Sequence, residues 1–145
     1  MAVQAAVRNP VVRELQAQLA YRQALQEIAN EINAAQNLDE ILIDLKDRTL
    51  SLFQAERLTI YVVDGVNKEI YSRFKVGEEH REIRVPISTT SIAGYVALSG
   101  RMLNISNAHD DQEVAAIHPN LKHDKSWDTK SGYRTMQMLV VPIKF

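Results

Sequence analysis

The spacing of apolar residues changes from helical to alternating near residue 57, which divides the sequence into two parts. The first part begins with a predicted helix start at Asn9 and Pro10. An Asn side chain accepts hydrogen bonds from the free N–H groups there, and Pro suits the first helical position. The helical pattern continues to about residue 36 without Gly or a further Pro. We therefore expect one long N-terminal helix.

The apolar stripe of this helix changes face midway. Val12, Leu15 and Leu19 form a first stripe, and a second stripe lies roughly 140° away around the axis. One helix cannot press both stripes onto the same core, so we expect the first stripe to pair with a second copy in a homodimer. The alternatives are a frayed arm or packing against an upstream domain. The second stripe, expected on the domain's own core, comprises Tyr21, Leu25, Ile28, Ile32 and Ala35.

A second helix is predicted after Asn37, because Glu40 stands three residues on in the position of a capping box. Its apolar residues recur at helical spacing and predict one buried face. That face comprises Leu38, Ile41, Leu42, Leu45, Leu52 and Phe53.

In the second part of the chain, short runs of strand-favouring residues alternate with turn-favouring residues, which predicts short strands separated by turns. A Ser91–Ser99 helix interrupts them, and Gly100 is placed to end it. The polar composition of residues 107–130 predicts a segment that is mostly loop, with room for a turn of helix. A tight turn is predicted at 64–68, and strands are predicted at 58–63, 69–74, 82–87, 102–105 and 135–143.

The order of these elements predicts the fold class. Sequential strands with few crossover helices favour an α+β fold, with an antiparallel sheet that carries the N-terminal helices on one face. Parallel βαβ winding would need more helices between the strands than this sequence supplies.

Composition narrows the function. The chain of 145 residues is 46% hydrophobic and 24% charged, with a formal net charge of -1, so a nucleic-acid partner is not expected. No apolar run approaches the ~20 residues that span a bilayer, so we expect no membrane partner and a cytoplasmic location. The chain has no cysteine, which excludes disulfides, thiolate metal sites and thioether-linked pigments.

Two stretches of the second part resemble the GAF domain family, whose fold is related to that of PAS domains. The first stretch runs from residues 83–86 (IRVP) through 91–97 (SIAGYVA) and 100–105 (GRMLNI) to Asn107 and Ala108. The second comprises residues 128–135 (DTKSGYRT) and 138–143 (MLVVPI). Either motif alone would be weak, but both occur in order, and the similarity extends over about residues 20–145. We identify the chain as a regulatory GAF domain of a bacterial signalling protein.

The resemblance implies a tendency towards three α/β/α layers. It also implies a pocket for a non-covalent small molecule between the sheet, the short helix and the long loop. Such a pocket pairs apolar surface with a few hydroxyl groups. The alternative for each residue is that it simply fills the core. The implied ligand-binding residues are Thr59, Tyr61, Ile92, Ala93, Gly94, Ile105, Trp127, Tyr133 and Thr135.

No nucleophile elbow, phosphate-binding glycine loop or dinucleotide fingerprint occurs. We therefore assign no catalytic residue and expect the chain not to be an enzyme by itself. Two functions remain: a sensor whose ligand controls an attached output domain, or an interaction module whose pocket has closed. The output domain could be a kinase, a cyclic-nucleotide enzyme, a transcriptional activator or a secretion-type ATPase, and the sequence does not decide among them.

The long loop is rich in residue types that bind metals, but their spacing matches no metal motif. We expect a solvated polar loop, no metal site, no haem and no cofactor. The residues considered are His109, Asp110, Asp111, Glu113, His118, His123 and Asp124.

The expected domain limits follow from the stripes and the resemblance. Residues 1–20 are predicted to be a dimerising helical arm and residues 21–145 a GAF domain. GAF domains continue beyond the strand that holds Pro142 with a further strand and helix. We therefore expect either a fragment or a longer natural protein.

Overall fold

A computed structural model describes residues 9–34, 36–37, 39–76 and 78–144. Six helical and five strand elements follow one another in this part of the chain. They are α1 (Pro10–Ala34), a π-helical segment (Glu40–Asp44), α2 (Lys46–Phe53), β1 (Val62–Asp64), β2 (Glu69–Val76), β3 (Glu79–Pro86), α3 (Ile92–Ser99), β4 (Leu103–Ile105), α4 (Asp111–Ile117), α5 (Ser126–Ser131) and β5 (Met138–Val140).

The chain divides into two compact units. The first comprises Met1–Ile60 and Arg73–Arg81, and the second comprises Tyr61–Ser72 and Glu82–Phe145. Among the described residues, none of the helices combines the length and the apolar character that spanning a bilayer requires.

The first unit begins with α1, as the sequence predicts. Asn9 accepts a hydrogen bond at Oδ1 from Val11 N at 2.9 Å, and its carbonyl accepts from Arg13 N at 3.1 Å. The first contact satisfies an N–H group that has no partner within the helix, and the second is the first backbone hydrogen bond of the helix itself. The first eight residues of the predicted arm lie outside the described residues.

The predicted burial of the second stripe of α1 is wrong for most of its residues. Only Ile28 is buried, at 8% exposure, while Tyr21, Leu25 and Ile32 are 44%, 43% and 37% exposed. Ala35 lies outside the described residues. Among the described residues of the first unit, the buried apolar side chains are those of Ile28, Leu42 and Leu45. A helix of 25 residues is longer than this small core, so most of its apolar residues remain exposed.

The capping pair at the second helix is confirmed in a modified form. Asn37 Oδ1 accepts from Glu40 N at 3.1 Å, and Glu40 Oε2 accepts from Gln36 N at 2.9 Å. The element that begins here is one π-helical segment followed by α2. On the predicted face, Phe53 is exposed at 56%, because it stands at the end of α2, and Leu38 lies outside the described residues.

The α+β prediction with antiparallel strands is confirmed, but the strands form two sheets. One has the order β1-β2-β3, and the other pairs β4 with β5. The β1–β2 hairpin closes at the predicted turn, where Asp64 Oδ1 accepts from Val66 N and Asn67 N, both at 3.1 Å.

Two predicted strands are shorter than expected. The ladder between β1 and β2 ends at the pair Val62–Tyr71, and β5 pairs with β4 only over Met138–Val140. Residues 58–61 and 135–137 have the composition of strands, but a strand also requires a hydrogen-bonding partner along its whole length.

The short helix α3 agrees with its sequence signals. Ser91 Oγ accepts from Gly94 N at 3.1 Å, and Gly100 ends the helix in the left-handed conformation at φ 65°. Gly94 is required by a close backbone approach, because a Cβ at this position would stand 2.3 Å from the carbonyl oxygen of Pro86.

The core of the second unit lies around α3 and β4. The side chain of Ile105 is fully buried and that of Val114 nearly so. The predicted loop after β4 is therefore wrong in part: α4 places Val114 in this core, and α5 forms a further short helix. The buried cluster comprises Ile92, Tyr95, Val96, Leu103, Ile105, Ala108, Val114 and Leu121.

Candidate functional site

The carboxylate of Asp128 is the centre of a hydrogen-bonded group in the second unit. Asp128 lies in α5, and Gly132 ends that helix in the left-handed conformation at φ 67°. The chain then returns, so that Thr135 donates from its N–H to Asp128 Oδ2 at 2.8 Å and from Oγ1 to Oδ1 at 2.7 Å. Both oxygens of this carboxylate are therefore held in place by one residue.

Two histidines approach the same carboxylate. His109 Nε2 lies 2.7 Å from Asp128 Oδ2, and His123 Nε2 lies 3.4 Å from the same oxygen. Their rings meet edge to face, with centroids 5.4 Å apart. The side chains are 16% exposed for His109, 11% for His123 and 10% for Asp128. This group is largely removed from solvent.

The electrostatics of the site favour an ionised Asp128. Burial by itself would raise the pKa of this carboxyl, but the hydrogen bonds from the Thr135 hydroxyl, His109, Thr135 N–H and His123 outweigh it. The pKa of Asp128 therefore lies well below the usual value of ~4 for Asp. A negative charge faces the two imidazole rings at neutral pH.

The segment that carries His109 is fixed by α4. Asp110 caps this helix by accepting from Gln112 N and Glu113 N. Glu113 in turn accepts from Ser106 N at 2.7 Å and Asn107 N at 2.9 Å. Such hydrogen bonds to backbone groups hold the loop in one conformation.

The expectation of a solvated polar loop is wrong for His109 and His123. It rested on the absence of a metal-binding spacing, whereas folding brings these residues to Asp128 from 19 and 5 positions away in sequence. Asp110, Asp111 and Asp124 are exposed, as expected. The sequence motif that contains Asp128 gave no signal for its histidine partners.

The predicted ligand-binding residues occupy different environments. Ile92 and Ile105 belong to the buried core at 4% and 0% exposure, and Gly94 is buried against Pro86. Thr59 is exposed and belongs to the first unit. Trp127 is 49% exposed, with Lys130 Nζ 5.3 Å from its ring centroid.

The remaining four residues of the predicted pocket are half-buried in the second unit. Burial raises the pKa of the Tyr61 phenol. The assignment of these positions to a ligand site stays a prediction. The four are Tyr61, Ala93, Tyr133 and Thr135.

A separate open groove lies in the first unit, between α1 and α2. It has a volume of about 320 Å3, and its lining includes Tyr21, Ile28 and Leu52. Arg48, also in its lining, forms ion pairs with Glu27 and Glu31 of α1. These pairs join the two helices at the surface.

Comparison with known proteins agrees with the resemblance seen in the sequence. The model of the GAF domain family matches residues 37–145. A probable 3',5'-cyclic phosphodiesterase, pde-5 of Caenorhabditis elegans, is 36% identical over 119 residues. This match covers 74% of the chain but only 15% of the nematode protein. The family prediction is therefore confirmed, while the predicted bacterial origin gains no support from a nematode relative.

Proposed function

Because the chain belongs to the GAF domain family, we propose that it is a regulatory domain that binds a small organic molecule non-covalently and thereby controls an attached output domain. The family match over residues 37–145 carries this proposal. Control of another domain needs a ligand that favours one of two arrangements of the protein. The proposal assigns no catalytic step to this chain and a cytoplasmic location to the protein.

A 3',5'-cyclic nucleotide is the first ligand to test. This choice rests on the nematode relative, which is described as a cyclic phosphodiesterase. The chain spans only 15% of that protein, so the proposal concerns binding and not hydrolysis. A purine base can stack on an aromatic ring, and the half-exposed Trp127 offers one, with the Lys130 ammonium group beside it to attract a phosphate.

The chain supplies its own probe for the test, because Trp127 is its only tryptophan. We expect cyclic AMP or cyclic GMP to change the fluorescence of Trp127 saturably, and isothermal calorimetry to give the same dissociation constant. Tyr133→Ala should weaken binding at least tenfold. Val66→Ser, in the exposed turn between β1 and β2, should leave binding unchanged.

Absence of saturable binding by both nucleotides at millimolar concentration would overturn the cyclic-nucleotide proposal. A wider screen of metabolites with the same fluorescence signal would then test the sensor role itself. If no metabolite bound, the alternative function would remain, in which the domain is an interaction module with a closed pocket. The full burial of Ile105 favours such a closed pocket.

We further propose that α1 forms the dimer contact of this regulatory domain. Leu15 and Leu19 are each 58% exposed, and the neighbouring Val11 is 60% exposed, while Val12 is half-buried. Apolar side chains at this spacing lie on one side of a helix and pack well against a second copy. A ligand that tilts α1 in one protomer would then move its partner.

A further inference from the structure

The group formed by His109, His123 and Asp128 is the most chemically distinctive cluster in the described part of the second unit. Each residue offers one ligand atom, and these three atoms lie within 4.8 Å of one another. All three side chains are at most 16% exposed. Imidazole nitrogen and carboxylate oxygen are common ligands of first-row transition metals in proteins.

We propose that His109 Nε2, His123 Nε2 and Asp128 Oδ2 form a binding site for one divalent transition-metal ion, with Zn2+ as the ion that best fits three such ligands. This inference does not depend on the proposed small-molecule ligand. It replaces the expectation of no metal that the sequence spacing gave.

The two distances from histidine nitrogens to Asp128 Oδ2 lie near those of a tetrahedral ion. Ligand bonds of about 2.0–2.1 Å in a tetrahedron place neighbouring ligand atoms about 3.3 Å apart. The distance from His123 Nε2 to Asp128 Oδ2 is 3.4 Å, close to that value. The distance from His109 Nε2 to the same oxygen is 2.7 Å, so this ring would move back by roughly half an ångström.

The surroundings of Asp128 resemble the support that metal ligands receive. Thr135 holds Oδ1 through its hydroxyl and Oδ2 through its N–H. Such second-layer hydrogen bonds fix the orientation of a ligand and keep it ionised.

Three protein ligands leave the fourth position of a tetrahedral ion for water or another ligand. Bound metal would join residue 109, before α4, to residue 123 and to α5. These segments meet through the hydrogen bonds to Asp128, the edge-to-face contact of the two imidazole rings and surface contacts such as Lys125–Asp111 at 3.0 Å. A metal ion would therefore restrain the whole 109–135 segment.

The test is a Zn2+ titration of untagged protein that has been treated with a chelator and dialysed. We expect isothermal calorimetry to give one Zn2+ per chain. The melting temperature should rise by roughly 5–10 °C at a hundredfold excess over the dissociation constant. Co2+ should give the intense visible absorption of a four-coordinate cobalt site.

Variants identify the ligands. His109→Gln and His123→Gln should each weaken Zn2+ binding at least tenfold and remove the cobalt absorption. Circular dichroism of the metal-free variants checks that they fold. The matched control is His80→Gln, which removes an exposed imidazole in β3 and should leave the affinity unchanged.

Two results would overturn the proposal. One is a wild-type protein that binds no Zn2+ at millimolar concentration. The other is a folded His109→Gln/His123→Gln double variant that binds Zn2+ as tightly as the wild type. In either case the cluster would be a hydrogen-bonded contact between α5 and the two histidines, and nothing more.

Discussion

Thr135 and Asp128 are joined twice: the Thr135 N–H donates to Asp128 Oδ2 at 2.8 Å, and the Thr135 hydroxyl donates to Oδ1 at 2.7 Å. The two residues stand seven positions apart, on either side of the turn at Gly132. This pair closes the end of α5 onto the segment that leads to β5. It also holds the carboxylate that faces both histidines.

Asp128→Asn should destabilise the metal-free protein by about 1–3 kcal/mol at pH 7, since an amide cannot accept all of these hydrogen bonds and leaves a buried donor without a partner. The pKa of Asp128 is lowered in the folded state. The stability that ionised Asp128 contributes is therefore fully present at pH values above its pKa of ~4 in the unfolded chain. This stability is lost as the pH falls towards the lowered pKa of the folded state.

Urea denaturation with chelator present measures this contribution at pH 7 and at successive values below 4. The gap between wild type and variant should shrink as the pH falls. Asp124→Asn provides a comparison at an exposed carboxylate four residues away. If the difference in the free energy of unfolding between wild type and Asp128→Asn stayed constant from pH 7 to pH 3, the stabilising role of the ionised Asp128 carboxylate would be contradicted.

Gly94→Ala should destabilise the domain by about 1–3 kcal/mol, the usual cost of forcing an extra carbon into a packed site. The new Cβ would stand 2.3 Å from Pro86 O and 2.6 Å from Ser91 Oγ. The matched control is Gly65→Ala, because a Cβ there meets no atom within 4 Å. Chemical denaturation compares the two, and equal midpoints would show that α3 can move away from Pro86 at little cost.

The dimer proposal predicts that Leu15→Glu with Leu19→Glu weakens self-association by about a hundredfold, from the loss of roughly 3 kcal/mol of apolar burial. Multi-angle light scattering at tens of micromolar should show a wild-type dimer and a monomeric, folded variant. Gln16→Glu with Gln23→Glu adds the same charge to exposed polar positions of α1 and should remain dimeric. A monomeric wild type, or a variant that still dimerises, would exclude α1 as the contact.

Asp64 should remain ionised at pH 3. The side-chain and backbone hydrogen bonds of Asn67, followed by that of Arg84, lower the pKa of Asp64 to about 2. The stability that this residue contributes is therefore present above the unfolded value near ~4 and is lost as the pH falls through about 2.

Asn67→Ala removes the side-chain hydrogen bond that lowers the pKa of Asp64 most. The titration midpoint of Asp64 should therefore rise towards ~4. Carbon-detected NMR of the Asp64 carboxyl group follows the titration. Val66→Ala keeps the backbone hydrogen bond from residue 66 and should leave the midpoint in place. If Asn67→Ala did not move it, the turn would not be the cause of the low pKa.

The sequence by itself determined the local elements of this protein. Asn9 before α1, Asp64 in the hairpin turn and Ser91 before α3 each bond a backbone N–H no more than three residues away. Such contacts form within one turn of chain and need no tertiary partner, so the residue types at fixed offsets were sufficient. The two family motifs likewise lie within short stretches and identified the family.

Only the tertiary structure decided how long the strands are, which face of α1 is covered and what surrounds Asp128. The lengths of β1 and β5 depend on partners from elsewhere in the chain. The exposure of Leu25 and Ile32 follows from the small core beneath α1. His109 lies 19 positions before Asp128 in the sequence. Their contact depends on the path of α4 and of the chain between α4 and α5, so no fixed spacing in the sequence could predict it.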